Sequence, residues 1–494
     1  MADIVLTTMN ARFSHTSFGL RCLYANLGEL QPQAILIEFD LEKSPLTMAE
    51  GILAENPLIV GLGVYIWNVE LALHLVMLLK QIRPQVVVVL GGPEISFETE
   101  QQGIFAWADY VITGEAELAF AHLCRQILNS EPPTTRIIQA LLPSLELLQS
   151  PYLFYTEEDI LHRLIYVEAS RGCPYRCAFC LSSLDEKVRL FPLEPFLAQM
   201  VVLLKRGVWQ FKFVDRTFNH HPKRMIRLLE FFLPHIGPGH RLHFEMVPDC
   251  LPDALKEVMV QFPPGVLHLE VGIQSLDSQV RGILGRQQVD SIGLANLHWL
   301  LSVGRVDLHV DLIVGLPGEG IEGFAVGFDR LFLLGPQAIQ VGILKRLRGV
   351  PLVALASEYG LVFNPAPPYD LLYNDQINFA LMQRLRRFAR YWEMIGNSGR
   401  FVATKRIMQE VESPFWLFLA LSDWLYATTG RTHGIALRRL YELVLHGLCS
   451  VANSLDARRV SEAVKADFGQ MNPKEKSDFL SFFDHSKKGG ARHR

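Results

Sequence analysis

At 494 residues, 49% hydrophobic and 20% charged, the chain has a globular composition and is too long for one core, which points to about three domains. Its 47 basic and 51 acidic side chains leave a formal charge of −4, without the basic excess that binding nucleic-acid phosphates ordinarily needs. Its seven scattered cysteines form no disulfide framework, Met1–Thr8 lacks the basic and apolar regions of a signal peptide, and the apolar stretch Phe415–Tyr426 is broken by Ser422 and Asp423; a cytoplasmic protein without nucleic-acid or membrane partners is expected.

Residues 1–135 alternate apolar runs (Ile4–Leu6, Ala34–Phe39, Leu58–Val64, Val86–Leu90 and Tyr110–Thr113) with helix-length segments such as Val69–Arg83. Continuous apolar strands between amphipathic helices predict a parallel sheet covered on both faces, a doubly wound Rossmann-like domain. Ligands of such sheets sit beyond the carboxyl ends of the strands. Those ends carry Asn10 and His15, then Tyr65 and Trp67, then Gly91-Gly92-Pro93, then Gly114-Glu115. Glycine pairs let backbone approach a large planar ligand.

Residues 136–158, with Pro143 and Pro151 and no sustained period, read as a linker. From 159 to 350, βα alternation returns with strands near Leu164–Ala169, Gln210–Asp215, Leu242–Val247, Leu267–Ile273, Val306–Gly315 and Ala338–Ile343. Six units predict a partial (β/α)6 TIM-type barrel whose active face lies at the strand carboxyl ends. After the first strand come Cys173, Cys177 and Cys180, spaced C-x3-C-x2-C, with Phe179 before the last. Three thiolates on one loop can hold three corners of a 4Fe-4S cluster and leave one iron open. The alternative, a zinc knuckle, needs a fourth Cys or His that is not evident nearby. The later strand ends carry Asp215, Glu245, Glu270, Gln274, Ser275 and Gly315, with Arg286 a dozen residues beyond Gln274.

From 351 to 494 the spacing turns helical, over Gln376–Ile395, Phe415–Thr428 and Leu437–Asn453. The aromatic and Met residues there read as core. The tail Ser486–Arg494 reads as disordered.

The cysteine loop resembles the signature of the radical S-adenosylmethionine (SAM) superfamily. With the Gly-Gly-Pro and Gly-Glu-x-Glu pieces before it, the chain resembles the cobalamin-dependent members of that superfamily, and its C-terminal region resembles the extension of an uncharacterised subgroup. The resemblance implies three cofactors: a 4Fe-4S cluster on the three cysteines, SAM on its open iron, and cobalamin over the Rossmann-like strand ends. It implies SAM contacts from Phe179, Asp215, Glu245, Glu270, Gln274, Ser275, Arg286 and Gly315. Cobalamin contacts would come from Asn10, His15, Tyr65, Trp67, Gly91, Gly92, Pro93, Gly114 and Glu115. The Asp-x-His-x-x-Gly element of some cobalamin proteins is absent, so His15 lacks the preceding Asp of a cobalt ligand. The implied activity is methylation of an unactivated centre of an unknown substrate, fed by an electron donor such as flavodoxin or ferredoxin. The alternatives are a cobalamin-assisted radical rearrangement or oxidation, a methylthiotransferase, and a non-catalytic cobalamin carrier or sensor. The C-terminal extension is expected to close the barrel mouth and shape the substrate pocket.

Overall fold

The computed structural model describes residues 1–471 apart from 186, 287, 453 and 454. The expected end of the Leu437–Asn453 helix and the tail at 486–494 lie outside the described residues.

The first unit is a parallel sheet of β1 (Ile4–Asn10), β2 (Ala34–Asp40), β3 (Ile59–Gly63), β4 (Val87–Gly91), β5 (Tyr110–Thr113) and β6 (Ile137–Gln139), in the order β2-β1-β3-β4-β5-β6. Helices α1 (Phe18–Ala25) and α4 (Glu117–Leu128) cover one face, and α2 (Pro45–Ala54) and α3 (Val69–Ile82) the other. Every residue of β1 is buried, as a strand covered on both faces requires. Strand order reverses between β1 and β3, which puts a ligand crevice at their carboxyl ends. The linker reading at 136–158 is corrected in part. Val111 N donates to Arg136 O at 2.8 Å, and Ala140 N donates to Thr113 O at 3.0 Å, so β6 extends the sheet. Farther on, α5 (Glu157–His162) begins with a capping box between Thr156 and Asp159. The buried Asp159 accepts from Arg21 of α1 at 2.7 Å, which ties the connector to the first unit.

The second unit is an open parallel barrel of six strands. Its strands are β7 (Ile165–Val167), β10 (Gln210–Phe213), β11 (Arg241–Met246), β12 (Leu267–Gln274), β13 (Val306–Val314) and β14 (Ala338–Ile343), paired in that order. A two-residue antiparallel pair, β8 (Ser170–Arg171) and β9 (Arg189–Leu190), brackets the cysteine loop. Helices α6 (Leu193–Lys205), α7 (Pro222–Phe232), α8 (Asp253–Met259), α9 (Ser278–Ile283), α10 (Asp290–Val303) and α11 (Ile321–Leu334) complete the unit. Strands β12 and β13 alternate strictly between buried and half-buried residues. The apolar set joins the core, and the other set carries His268, Glu270, His309 and Asp311.

The third unit begins with the short pair β15 (Val362–Phe363) and β16 (Leu371–Tyr373). Helices α12 (Phe379–Ile395), α13 (Val402–Met408), α14 (Pro414–Thr429), α15 (Leu437–Val451) and α16 (Ala457–Met471) follow. Phe328 of α11 packs edge-on against Phe388 and Trp392 of α12 and against Phe415 of α14. Trp392 Nε1 donates to Ile339 O of β14 at 2.9 Å. The helices therefore dock on the flank of the barrel. Among the described residues none after 350 lines the cavity that holds the cysteines, where closure of the barrel mouth was expected. Among the described residues no helix is long and apolar enough to cross a membrane.

Candidate functional site

The cysteine loop leaves β7 at the carboxyl end of the barrel. Gly172 precedes Cys173 at φ +94°, and a Cβ there would lie 2.5 Å from Lys187 O, so glycine alone permits the turn. The loop is then pinned by Ala178, whose N–H donates to Leu284 O at 3.0 Å and whose carbonyl accepts from Leu352 N at 2.8 Å. Cys173, Cys177 and Cys180 all line one cavity of about 140 Å³. Cys173 Sγ lies 3.3 Å from Thr217 Oγ1, and Arg286 Nη1 donates to Cys177 Sγ at 3.5 Å. Burial pushes the Cys177 thiol up, against the pull of Arg286. Among the described residues no three His, Cys, Asp or Glu side chains converge as ligands of a single metal ion. Three thiolates facing one cavity fit three corners of a 4Fe-4S cluster.

The rest of the cavity is polar. Phe179, Glu245, Glu270, Gln274 and Arg286 line it, as does Asp311. Gln274 has φ +68° where the β12–β13 register shifts, and such a bulge re-aims a side chain. Arg286 Nη2 also donates to Gly272 O. Three buried atoms here lack a partner: Gln274 Oε1, Arg286 Nε and Asp311 Oδ1. Buried polar atoms are ordinarily paired, so these mark a place for a ligand's polar groups. His243 Nε2, 3.0 Å from Glu270 Oε2, holds the Glu270 carboxyl below its ordinary range. Burial, together with the Glu270 and Glu245 charges, holds Asp311 well above it. Two carboxyls shifted in opposite directions thus share one wall. An ammonium, a carboxylate and ribose hydroxyls, the polar groups of SAM, find complementary partners here.

Three expected SAM contacts lie elsewhere. Asp215 is 2% exposed and its carboxylate accepts from Ala169 N at 3.0 Å and Ser170 Oγ at 2.5 Å, so it braces the entry to the cysteine loop. Ser275 Oγ donates to Glu319 Oε1 at 2.5 Å and accepts from Asp277 N at 3.0 Å. Gly315, at φ +90°, is covered by Leu371, and its carbonyl accepts from Asn374 Nδ2 at 3.2 Å. None of the three lines the cavity. Asp311, Arg216 and Thr217 do line it and were passed over as contacts. Strict alternation along β13 from Asp307 was the available signal for Asp311.

A second cavity, of about 240 Å³, lies at the carboxyl ends of β3, β4 and β5, against α1 and α4. Tyr65, Gly91, Gly92, Gly114 and Glu115 line it, with apolar walls from Phe18, Leu62, Val89 and Phe120. A Cβ added at Gly91 or Gly114 would meet nothing closer than 3.7 Å, an ordinary contact distance, so the backbone borders the cavity there without crowding. This glycine cradle fits an apolar, flat part of a large ligand such as a corrinoid. The strand-internal Gly61 and Gly63 belong to the same lining, a signal of close backbone approach that went unread.

The other expected cobalamin contacts are not brought to this cavity. Asn10 Nδ2 donates to His15 O at 3.0 Å and to Glu38 Oε2 at 2.6 Å. His15 Nδ1 lies 2.6 Å from Tyr166 Oη of β7, and burial lowers its pKa, so it bridges to the barrel as a neutral ring. Trp67 stacks on Tyr65 at 4.5 Å and donates from Nε1 to Met9 O at 3.0 Å. Pro93 falls outside the lining, beside Gly92.

Arg171, two residues before Cys173, joins this cavity to the cysteine loop. Its fork reaches Glu115 at 2.8 Å, Glu117 at 2.7 Å and Glu168 at 3.0 Å, and Arg189 also meets Glu115. Burial lifts the Glu168 carboxyl to about 7 in spite of Arg171.

A family model described as a B12 binding domain matches residues 4–124, one for the radical SAM superfamily matches 167–327, and one for a protein of unknown function, DUF4080, matches 357–490. The chain is similar to the 2-(S-pantetheinyl)-carbapenam-3-carboxylate methyltransferase of Streptantibioticus cattleyicolor, 24% identical over 322 residues, covering 58% of this chain and 46% of that one. The cobalamin-dependent radical SAM methyltransferase TokK of Streptomyces tokunonensis is 24% identical over 321 residues, with coverage of 58% and 46%. The chain thus spans just under half the length of these curated relatives. Among solved structures, the radical S-adenosylmethionine methyltransferase TsrM of Kitasatospora setae, with cobalamin and a 4Fe-4S cluster bound, has a TM-score of 0.61 at 17% identity. That likeness, over 75% of this chain and 82% of TsrM, is one of fold.

Proposed function

From the premise that this chain, with a B12-binding domain followed by a radical SAM domain, belongs to the cobalamin-binding radical SAM proteins, we propose that it methylates an unactivated centre of a small or macromolecular substrate. When bound, a 4Fe-4S cluster, SAM and cobalamin would supply the electron, the methyl group and its carrier. Cys173, Cys177 and Cys180 would hold the cluster. Glu270, Gln274 and Arg286, with Asp311 beside them, would orient the amino-acid and ribose groups of SAM. The glycine backbone at 91, 92 and 114 would admit the corrinoid, and the apolar walls would keep water from it. An external one-electron donor of the flavodoxin or ferredoxin kind is part of this reading.

The observation that carries it is the convergence of all three cysteines in one cavity with the unpartnered Gln274, Arg286 and Asp311 atoms. A methylthiotransferase would need further cluster ligands in the first unit. Cys22 and Cys124 there are buried thiols whose pKa values burial raises.

The test is anaerobic reconstitution with iron and sulfide, addition of hydroxocobalamin, then incubation with SAM and a reductant. Expected are a cluster spectrum, retained corrinoid, and S-adenosylhomocysteine or 5′-deoxyadenosine in the products. Material that takes up neither iron nor corrinoid overturns the reading.

A further inference from the structure

The cavity of the B12-binding domain depends on the position of the loop that follows β4. Gly91 and Gly92 line the cavity, and Gly92 has no slack: a Cβ there would lie 2.5 Å from Val64 O. The same loop continues into Glu94, which is 4% exposed, and Glu98. Neither carboxylate is held mainly by its own domain.

Glu94 Oε1 accepts from Tyr369 Oη at 2.6 Å and from Arg348 Nε at 2.8 Å, while Arg348 Nη2 donates to Tyr369 Oη at 3.0 Å. Glu98 accepts from Arg348 Nη1 and from Arg346 Nη2, each at 2.6 Å. Between the two acids, Phe97 packs on Gly349, where a Cβ would lie 2.4 Å from the ring. Tyr369 belongs to the segment matched by DUF4080. It is placed by the barrel: Arg346 N donates to Tyr369 O at 3.0 Å and Leu371 N to Leu344 O at 2.8 Å, so residues 369–371 pair antiparallel with residues 344–346, which follow directly on β14.

We infer that Tyr369 and Arg348 are positioning residues which clamp the Gly92–Glu98 loop, and that the DUF4080 segment serves to fix the corrinoid cavity relative to the barrel. A buried triad of acid, phenol and guanidinium is fully satisfied only while the three segments stay in register. Removing the Tyr369 hydroxyl leaves Glu94 one donor short in a buried place, and the loop gains freedom at the glycines that border the cavity. The inference rests on the proposed function only for the identity of the ligand.

Two measurements on the full-length chain decide it. The first is amide hydrogen exchange of the cofactor-free protein, comparing wild type with Tyr369→Phe and Glu94→Gln. Faster exchange confined to residues 91–98 and 346–349 is expected in both. Unchanged exchange there, or an equal rise throughout the chain, overturns the clamp. The second is the dissociation constant for hydroxocobalamin, read by absorbance. About a tenfold rise is expected for Tyr369→Phe with iron loading unchanged, a smaller rise for Arg348→Lys than for Arg348→Met, and a double Glu94→Gln/Tyr369→Phe variant no weaker than the worse single one. Additive losses would mean that the pair does not act as a unit and would overturn the assignment. If the wild type itself binds no hydroxocobalamin, the proposed function fails, while the exchange measurement still decides the clamp.

Discussion

Replacing Arg171 by Gln should cost far more than losing a surface charge, and the cost should depend on pH in one direction. The guanidinium is 13% exposed and stands among Glu115, Glu117 and Glu168, of which Glu117 is 7% and Glu168 12% exposed. Removing one partner of a buried ionic group leaves uncompensated charge and typically costs about 3–5 kcal/mol, against about 1 kcal/mol or less for an exposed pair. Glu117 and Glu168 have Arg171 as their cation while Glu115 also meets Arg189, so a cost within that range is expected near pH 8.

The sign follows from proton uptake. Glu168 is already held up to about 7 by burial, with Arg171 opposing. Without Arg171 its folded pKa rises further, so between about 7 and that higher value the folded variant binds more protons than the folded wild type. The unfolded chains bind alike, and stability relative to wild type therefore falls as pH rises. Urea titrations of the cofactor-free proteins, followed by tryptophan fluorescence at about pH 5, 6, 7 and 8, should show a deficit that shrinks towards acid. Arg171→Lys should recover only part of it, because a point charge cannot serve three acids along a fork. A deficit under about 1 kcal/mol, or one that is flat with pH, would refute the reasoning.

Gly91→Leu places a side chain at the border of the second cavity without a positive-φ penalty; hydroxocobalamin absorbance titrations should show at least a tenfold loss of affinity, with iron and sulfide content after reconstitution unchanged. Asp311→Asn removes a carboxyl whose folded pKa burial raises: wild type loses stability as pH climbs from the ordinary carboxylate range through that raised value, so the variant should melt higher at about pH 8.5 and equally at about pH 4. Equal melting at alkaline pH would show that Asp311 ionises freely.

Legibility in the sequence tracked the range of the interactions. Cys173, Cys177 and Cys180 were readable because their spacing is short and a single loop presents all three. The strands were readable because burial on both faces of β1, or on alternate residues of β12 and β13, is written directly as an apolar pattern. The surroundings of a side chain were not readable where a long-range partner takes it up. Asp215 at a strand end looks like a ligand group, but Ala169 and Ser170 occupy its oxygens. His15 looks like a cobalamin contact, but its ring is held by Tyr166, 151 residues away in sequence and 2.6 Å away in space. Gly315 looks like a cofactor platform, but a side chain from the helical region, Leu371, covers it.

The same logic explains what the Gly-Gly-Pro-Glu and Gly-Glu-x-Glu stretches do beyond bordering a cavity. In each, a glycine borders the cavity and an acid of the same loop leaves the domain to meet a half-buried arginine of the barrel: Glu94 to Arg348, and Glu115 with Glu117 to Arg171. Glycine makes the loop accommodating and therefore loose, since it restricts the backbone least. A buried, forked ion pair supplies the missing constraint, because its geometry is satisfied in a narrow range of positions. Two loops secured at both ends of the crevice would hold a large cofactor at a set distance from the cysteine cavity without contacting it through any one dedicated ligand. The loop histidine is itself taken up by such a contact, its Nδ1 lying 2.6 Å from Tyr166 Oη of the barrel.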